Sequence, residues 1–199
     1  MTGCFIVLEG GEGAGKSTQA GLLAERLTER GYDVDTTREP GGTPEGVALR
    51  QKLLHGADLE PLEELDAFLE ERRIHVEKRI RPNLAAGMIV VCDRFTPSTL
   101  AYQGVGRGLG VEVVEQRSAA ATGGLEPDVV IVLDLPDDVA EARITGFRDR
   151  FEREGAAFHA KVRAAYRTLG ADRGWVVIDA SGPPDAVAAR VWAVVAGHL

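Results

Sequence analysis

The sequence predicts a single α/β domain over residues 1–199, a five-stranded parallel sheet with helices on both faces. Three observations lead there. Four runs, CFIVL (4–8), MIVVC (88–92), VVIVLDL (129–135) and WVVI (175–178), are apolar throughout and rich in β-branched residues, as strands buried on both faces are. Segments of helical spacing separate them, which is the alternation of a parallel sheet. The 199 residues, 44% of them hydrophobic, contain no Ser/Pro linker, internal repeat or low-complexity tract, so they suit one core rather than two.

Each element has its own signal. The strand at 4–8 runs into a glycine-rich loop, and a helix follows from about Lys16 to Arg30 with Gly31 as its stop. YDVDTT (32–37) is a fifth, partly polar strand suited to a sheet edge. A helix starts near Thr43–Pro44. A long charged one covers 61–85, with apolar residues at 65, 68, 69, 76 and 80 that suit packing on its own sheet. Further helices are expected at about 111–122, 136–146, 155–170 and 184–197. The glycine-rich patches 10–15, 41–46 and 104–110 fall between elements, where loops carry chemistry.

A formal net charge of −8 argues against general nucleic-acid binding, which needs a basic face. If the ligands are anions, cations must be concentrated locally, so arginine positions matter more than arginine number. No stretch approaches the roughly 18 apolar residues of a membrane span. Residues 4–8 lead into the glycine loop rather than to a cleavage site, and a cytoplasmic protein is expected. Cys4 and Cys92 lie in apolar runs and are expected as buried free thiols. His55, His75, His159 and His198 lack metal-ligand spacing and are assigned no catalytic part.

GGEGAGKS fits G-x-x-x-x-G-K-[ST] with Gly10, Gly15, Lys16 and Ser17, between a buried strand and a helix as the phosphate-binding loop requires. Gly10, Gly11, Glu12, Gly13, Ala14, Gly15, Lys16, Ser17 and Thr18 are therefore expected to hold a nucleoside triphosphate, with backbone N–H groups and the helix N-terminus facing the phosphates. Lys16 suits the terminal phosphates and the Ser17 hydroxyl a Mg²⁺ ion. Asn83 is the one asparagine and no T-K-x-D is present, which disfavours a GTPase. MIVVCDRF gives Asp93, suited to hold Mg²⁺ through water, followed by Arg94, suited to an anionic acceptor, and VVIVLDLP gives Asp134 followed by Leu135; neither aspartate has the neighbouring acid with which motor ATPases activate water. Asp134 reads as a plain strand-end residue.

Three further stretches carry unusual chemistry: TREPGGT (37–43), DRFTPSTLAYQG (93–104) and FLEER (68–72), whose Phe68 and Arg72 share one helix face. Together with DRFE (149–152) and FHAKVRAAY (158–166), and with the loop, these resemble the bacterial thymidylate kinases of the nucleoside monophosphate kinase group over nearly the whole chain. The resemblance implies a three-layer P-loop fold, a homodimer, an acceptor-binding region at about 38–75 and a short arginine-rich lid at about 143–155. It implies transfer of a phosphoryl group from ATP–Mg²⁺ to dTMP, on the route to dTTP. Arg94, helped by Arg38, would bind the acceptor phosphate. Phe68 would stack on thymine, Arg72 would hydrogen-bond its edge, and Ser98 and Gln103 would lie nearby. Tyr102 and Tyr166 would pack on the deoxyribose, and Pro40 would follow a cis peptide bond. Glu12, an anion inside a phosphate cradle, would accept a hydrogen bond from the sugar 3′-hydroxyl.

An acid in the loop leaves the bridging positive charge to come from elsewhere. RITGFRDRFERE (143–154) offers Arg143, Arg148 and Arg150, of which Arg148 and Arg150 are expected to act with Lys16 and Arg94; Arg153 reads as a solvated charge. Glu70 and Glu71, where the family more often has small residues, are expected to face solvent. Two alternatives stand beside ATP:dTMP transfer: the same chemistry on dUMP or a deoxynucleoside, and a nucleotide-binding regulator without catalysis.

Overall fold

A computed structural model describes residues 3–143 and 149–199. Its five strands are β1 (Cys4–Gly10), β2 (Val34–Arg38), β3 (Ile89–Asp93), β4 (Val129–Asp134) and β5 (Val176–Asp179), all parallel in the order β2-β3-β1-β4-β5. Each expected strand is present, with one change of place. WVVI, read as fully buried, forms the edge strand β5, where Val176 and Val177 are 36% and 40% exposed.

The apolar run of β1 divides by alternation. Ile6 and Leu8 pack with α1 (Lys16–Thr28) and α9 (Pro184–Val195), joined by Leu23, Leu27, Val187 and Val191. Phe5 and Val7 point to the other face, against Val76, Ile80 and Phe95. Burying both faces of one strand is why it shows no polar alternation.

The 61–85 segment is one continuous helical run. α3 (Pro61–His75) passes through a π-helical stretch (Val76–Ile80) into α4 (Arg81–Ala85). Leu65, Leu69, Val76 and Ile80 are buried in this chain's own core, so the stripe is used internally. α2 (Pro44–His55) precedes it, with Thr43 Oγ1 capping by accepting from the Gly46 N–H at 3.0 Å.

Residues 96–106, to which the sequence assigns no element, are helical: α5 (Thr96–Thr99) continues as a π-helical turn (Leu100–Gly106). Pro97 starts this helix and Gly104 stays inside it, because the wide turn tolerates residues that punctuate an α-helix. α6 (Val111–Thr122), α7 (Asp137–Arg143) and α8 (Ala156–Arg173) complete the layers. No described helix is long and apolar enough to cross a membrane.

Register decides where the site sits. Leu8 pairs with Asp93, Gly10 with Leu133 and Arg38 with Asp93, so the carboxyl ends of β1 to β4 converge along one edge. Ligands of open α/β sheets bind in that crevice.

Candidate active site

The loop between β1 and α1 is glycine-rich for steric reasons that can be named. Gly10 has φ 135°, and a Cβ there would lie 2.4 Å from the Leu133 carbonyl oxygen. Gly13 has φ 71°, and its Cβ would meet the Ala140 oxygen at 2.6 Å. The loop lines a cleft of about 620 Å³ from Glu12 to Gln19, with Arg38, Arg50, Arg143 and Pro184 on its other walls. Lys16 is 7% exposed and folds back so that Nζ donates to the Gly11 carbonyl at 2.7 Å. Burial, and after it Arg94, lower the Lys16 pKa against the pull of Glu12 and Asp93. Ser17 Oγ donates to Asp93 Oδ2 at 2.5 Å, bringing the two expected Mg²⁺ residues together.

A second cavity of about 100 Å³ opens beside the cleft and shares Glu12, Glu39, Arg50, Arg94 and Asp149 with it. Phe68, Arg72, Ser98, Tyr102, Gln103 and Pro40 line it as well, so with Glu12 and Arg94 eight of the ten expected acceptor residues meet in one place. The Glu39–Pro40 bond is cis. Arg38 lines the cleft but not this cavity, and Tyr166 is buried at 1% exposure behind it.

Arg94 is the hub between the two spaces. It is the one described non-glycine residue with positive φ, 75°, a backbone conformation that costs about 1–3 kcal/mol and that surrounding contacts must hold. Nη2 donates to Glu12 Oε1 at 2.5 Å, while Nη1 donates to the Gly10 carbonyl at 3.2 Å and to Ser98 Oγ at 3.1 Å. Tyr102 also donates its hydroxyl to Glu12, at 2.9 Å. Burial would raise the Glu12 pKa, but Arg94, then Lys16 and the Tyr102 hydroxyl, outweigh it and hold the carboxyl at about 2. The acid in the phosphate loop is therefore an anion with its own cation.

Four functional groups escaped the sequence reading. Glu9, at the end of β1, is fully buried and accepts from the Phe95 and Ser98 N–H groups at 2.8 and 3.2 Å. It also accepts from the Ser98 and Tyr166 hydroxyls at 2.6 and 2.8 Å, so one carboxyl sets two predicted acceptor residues. Burial raises its pKa, with Arg94 opposing. Glu39 accepts from Arg72 Nε at 2.6 Å and from His75 Nδ1 at 2.9 Å, and His75 Nε2 lies 2.7 Å from the Thr37 hydroxyl. Arg50 lines both spaces and donates to the Pro40 carbonyl at 2.8 Å; burial first, then Arg38, lower its pKa. Glu64 is buried and meets Gln103, Arg107 and Arg150. A glutamate closing an apolar strand (LEGG) was the one available sequence signal among these.

Two expectations need correction. Arg150 does not reach the phosphate cleft: it is 5% exposed, with Nη2 3.0 Å from Glu64 and its guanidinium 5.1 Å from the Phe151 ring. The buried Glu64 draws it to the acceptor side. Arg143 instead lines the cleft and donates toward the Ala180 and Gly182 carbonyls at 3.5 Å each. Arg148 lies outside the described residues. Glu71 does not face solvent: it is 1% exposed and accepts from the Gly41 N–H at 2.7 Å, holding the loop that contains Pro40. Burial, then Glu39, raise its pKa to about 7. Glu70 does face solvent, paired with Arg73.

A glycine-built loop at the carboxyl edge of a parallel sheet, a lysine folded into it and a Ser–Asp pair beside it define a P-loop nucleotide-binding protein, here with a second cavity abutting the loop. The thymidylate kinase family model matches residues 8–191. A thymidylate kinase of Synechococcus sp. (strain JA-2-3B'a(2-13)) is 52% identical over 98% of this chain and 95% of its own length. One of Thermomicrobium roseum is 48% identical over 96% and 93%. The crystal structure of thymidylate kinase from Ehrlichia chaffeensis superposes with a TM-score of 0.83 at 32% identity, covering 98% of this chain and 99% of that one. The chain belongs to the thymidylate kinase family.

Proposed function

We propose that this chain transfers the γ-phosphoryl group of ATP to dTMP, giving dTDP and ADP on the route to dTTP. The observation that carries the reading is the pair of adjoining spaces joined by Arg94 and Glu12. Transfer between two nucleotides needs both held in line with the moving charge neutralised, and little covalent work. The loop amides and Lys16 hold the donor phosphates. Arg94, with Arg50 and Arg38, holds the acceptor phosphate, and Phe68 and Arg72 take the base. An acceptor that is already anionic requires no general base, and none is assigned.

In the acceptor complex Glu12 takes the sugar hydroxyl while Tyr102 and Tyr166 close on the deoxyribose. Arg143 supplies charge to the donor side from the lid. The Ser17 hydroxyl and Asp93 carboxylate are hard oxygen donors side by side, which fits Mg²⁺. Bound there with ATP, the ion would neutralise charge on the phosphates. A second copy of the chain covers Val47, Leu62 and Val113, which are 48–52% exposed on α2, α3 and α6; sedimentation equilibrium is expected to give a dimer mass.

The test is turnover of ATP–Mg²⁺ with dTMP, dUMP, thymidine, AMP and CMP, followed as ADP release. Rapid use of dTMP is expected. Rapid use of AMP or CMP with none of dTMP would sink the proposal.

A further inference from the structure

Arg72 and Gln103 each bring to the acceptor cavity one polar atom without a partner among the described residues. Arg72 sends Nε to Glu39 and Nη1 to Thr99 Oγ1 at 2.8 Å, which leaves Nη2 as a free donor. Gln103 donates Nε2 to Glu64 Oε1 at 2.7 Å, which leaves its carbonyl Oε1 as a free acceptor. Both residues are 2% exposed, both line the same cavity, and neither atom is sealed from it. Arg72 and Gln103 therefore offer the cavity one donor and one acceptor.

Those two groups differ in how firmly their sense is fixed. A guanidinium only donates, so Arg72 cannot reverse. A glutamine amide can turn over and exchange its donor and acceptor ends. Glu64 decides which way it lies. It is 1% exposed in the first turn of α3, and a carboxylate only accepts, so it must meet the NH₂ end. Arg107 and Arg150 supply its counter-charges, at 3.2 and 3.0 Å. Gln103 and Arg107 reach it together because the π-helical turn, closed by the Arg107 N–H on the Tyr102 carbonyl at 2.8 Å, carries both to one side.

Resting on the function proposed above, we infer that Glu64 is a positioning residue for base selection: it locks the Gln103 carbonyl toward the cavity. The edge so formed matches a pyrimidine that presents a carbonyl next to a ring N–H. It opposes one that presents an amino group next to an unprotonated ring nitrogen, as cytosine does. With the wrong base the Arg72 donor faces a donor and the Gln103 acceptor faces an acceptor, and both are left buried and unpaired. An amide free to turn would relieve half of that mismatch.

The experiment measures KM and kcat for dTMP and for dCMP in the wild type, Glu64→Gln, Gln103→Leu and the double variant, with melting temperature and the KM for ATP alongside. Glu64→Gln is expected to lower the dTMP:dCMP ratio of kcat/KM by about 10- to 100-fold, mainly through KM, with the ATP KM unmoved. In the Gln103→Leu background the same change should shift the ratio no further, since Glu64 acts through that amide. A folded Glu64→Gln that keeps the wild-type ratio overturns the inference, as does an equal loss in the Gln103→Leu background. Should Glu64→Gln alone not fold, Glu64→Gln/Arg150→Met removes the cation left unpaired and carries the same readout. A wild type that uses neither nucleotide removes the functional reading itself; one selective for dTMP, with an equally selective variant, removes only this inference.

Discussion

The donor and acceptor halves of the site are built by different means. The proposed donor half is one contiguous stretch, residues 10–18, in which a glycine loop opens a helix and Lys16 folds back on the Gly11 carbonyl. The acceptor half is collected from β1, the 39–42 loop, α2, α3, the 100–106 turn and α8, and several of its polar groups are aimed by buried carboxyls. Glu9 orients Ser98 and Tyr166, Glu39 orients Arg72, Glu64 orients Gln103, and Glu71 holds the Gly41 amide. Glu12 stands at the seam with Arg94. A phosphate can be cradled by N–H groups that every residue carries, whereas a base and a sugar need side chains at set angles. In a chain of net charge −8, acids placed behind the arginines reconcile an acidic protein with anionic substrates.

The largest effect that tests this contrast is expected at the seam. Arg94→Ala should lower kcat/KM for dTMP by about 1000-fold and also lower the melting temperature, because Glu12 loses its cation. Lys16→Ala should damage activity with little change in melting. Equal melting losses in the two would break the distinction between a scaffolded acceptor side and a self-contained loop.

Glu71 gives the next effect, on stability. Its pKa stands raised from 4.5 to about 7, so folding favours the protonated form. That stabilisation is whole below about pH 4.5 and is lost as pH rises through about 7. Above that, the ionised group burdens the fold by roughly 3 kcal/mol. Glu71→Gln keeps an acceptor for Gly41 and should raise the melting temperature at pH 8 but not at pH 4; a gain of the same size at both would refute the assignment.

Phe68→Ala is expected to raise the KM for dTMP about 10- to 30-fold and leave that for ATP in place. Equal shifts in both constants would reject a base-stacking role. Smallest of the four, Glu12→Gln should weaken acceptor use about tenfold while ATP binding, followed by calorimetry, survives. Collapse of ATP binding instead would make Glu12 part of the loop's own fold.

Much of the architecture was legible in the chain: five strands, their helices and the phosphate loop follow from periodicity and local turn chemistry. What escaped has identifiable causes. The helix at 96–106 carries proline and glycine, which signal a loop, and the π-helical turn that accommodates them is stabilised by packing on α3, α6 and α8. Glu71 looked like a surface charge and Arg150 like an arginine of the phosphate cleft because nothing local tells where a charged side chain is buried; Glu39, Glu64 and the Gly41 amide, distant in sequence, decide it. WVVI looked buried because its composition matches the central strands, while its place at the edge depends on strand order.

By itself, then, the sequence determined the donor loop and the identity of the residues that could meet a second nucleotide, since those rest on contiguous geometry and on resemblance. Only the tertiary structure decided which acid stands behind which arginine. Such pairs form across 30 to 157 residues of chain, and their energy depends on burial, which no local stretch contains.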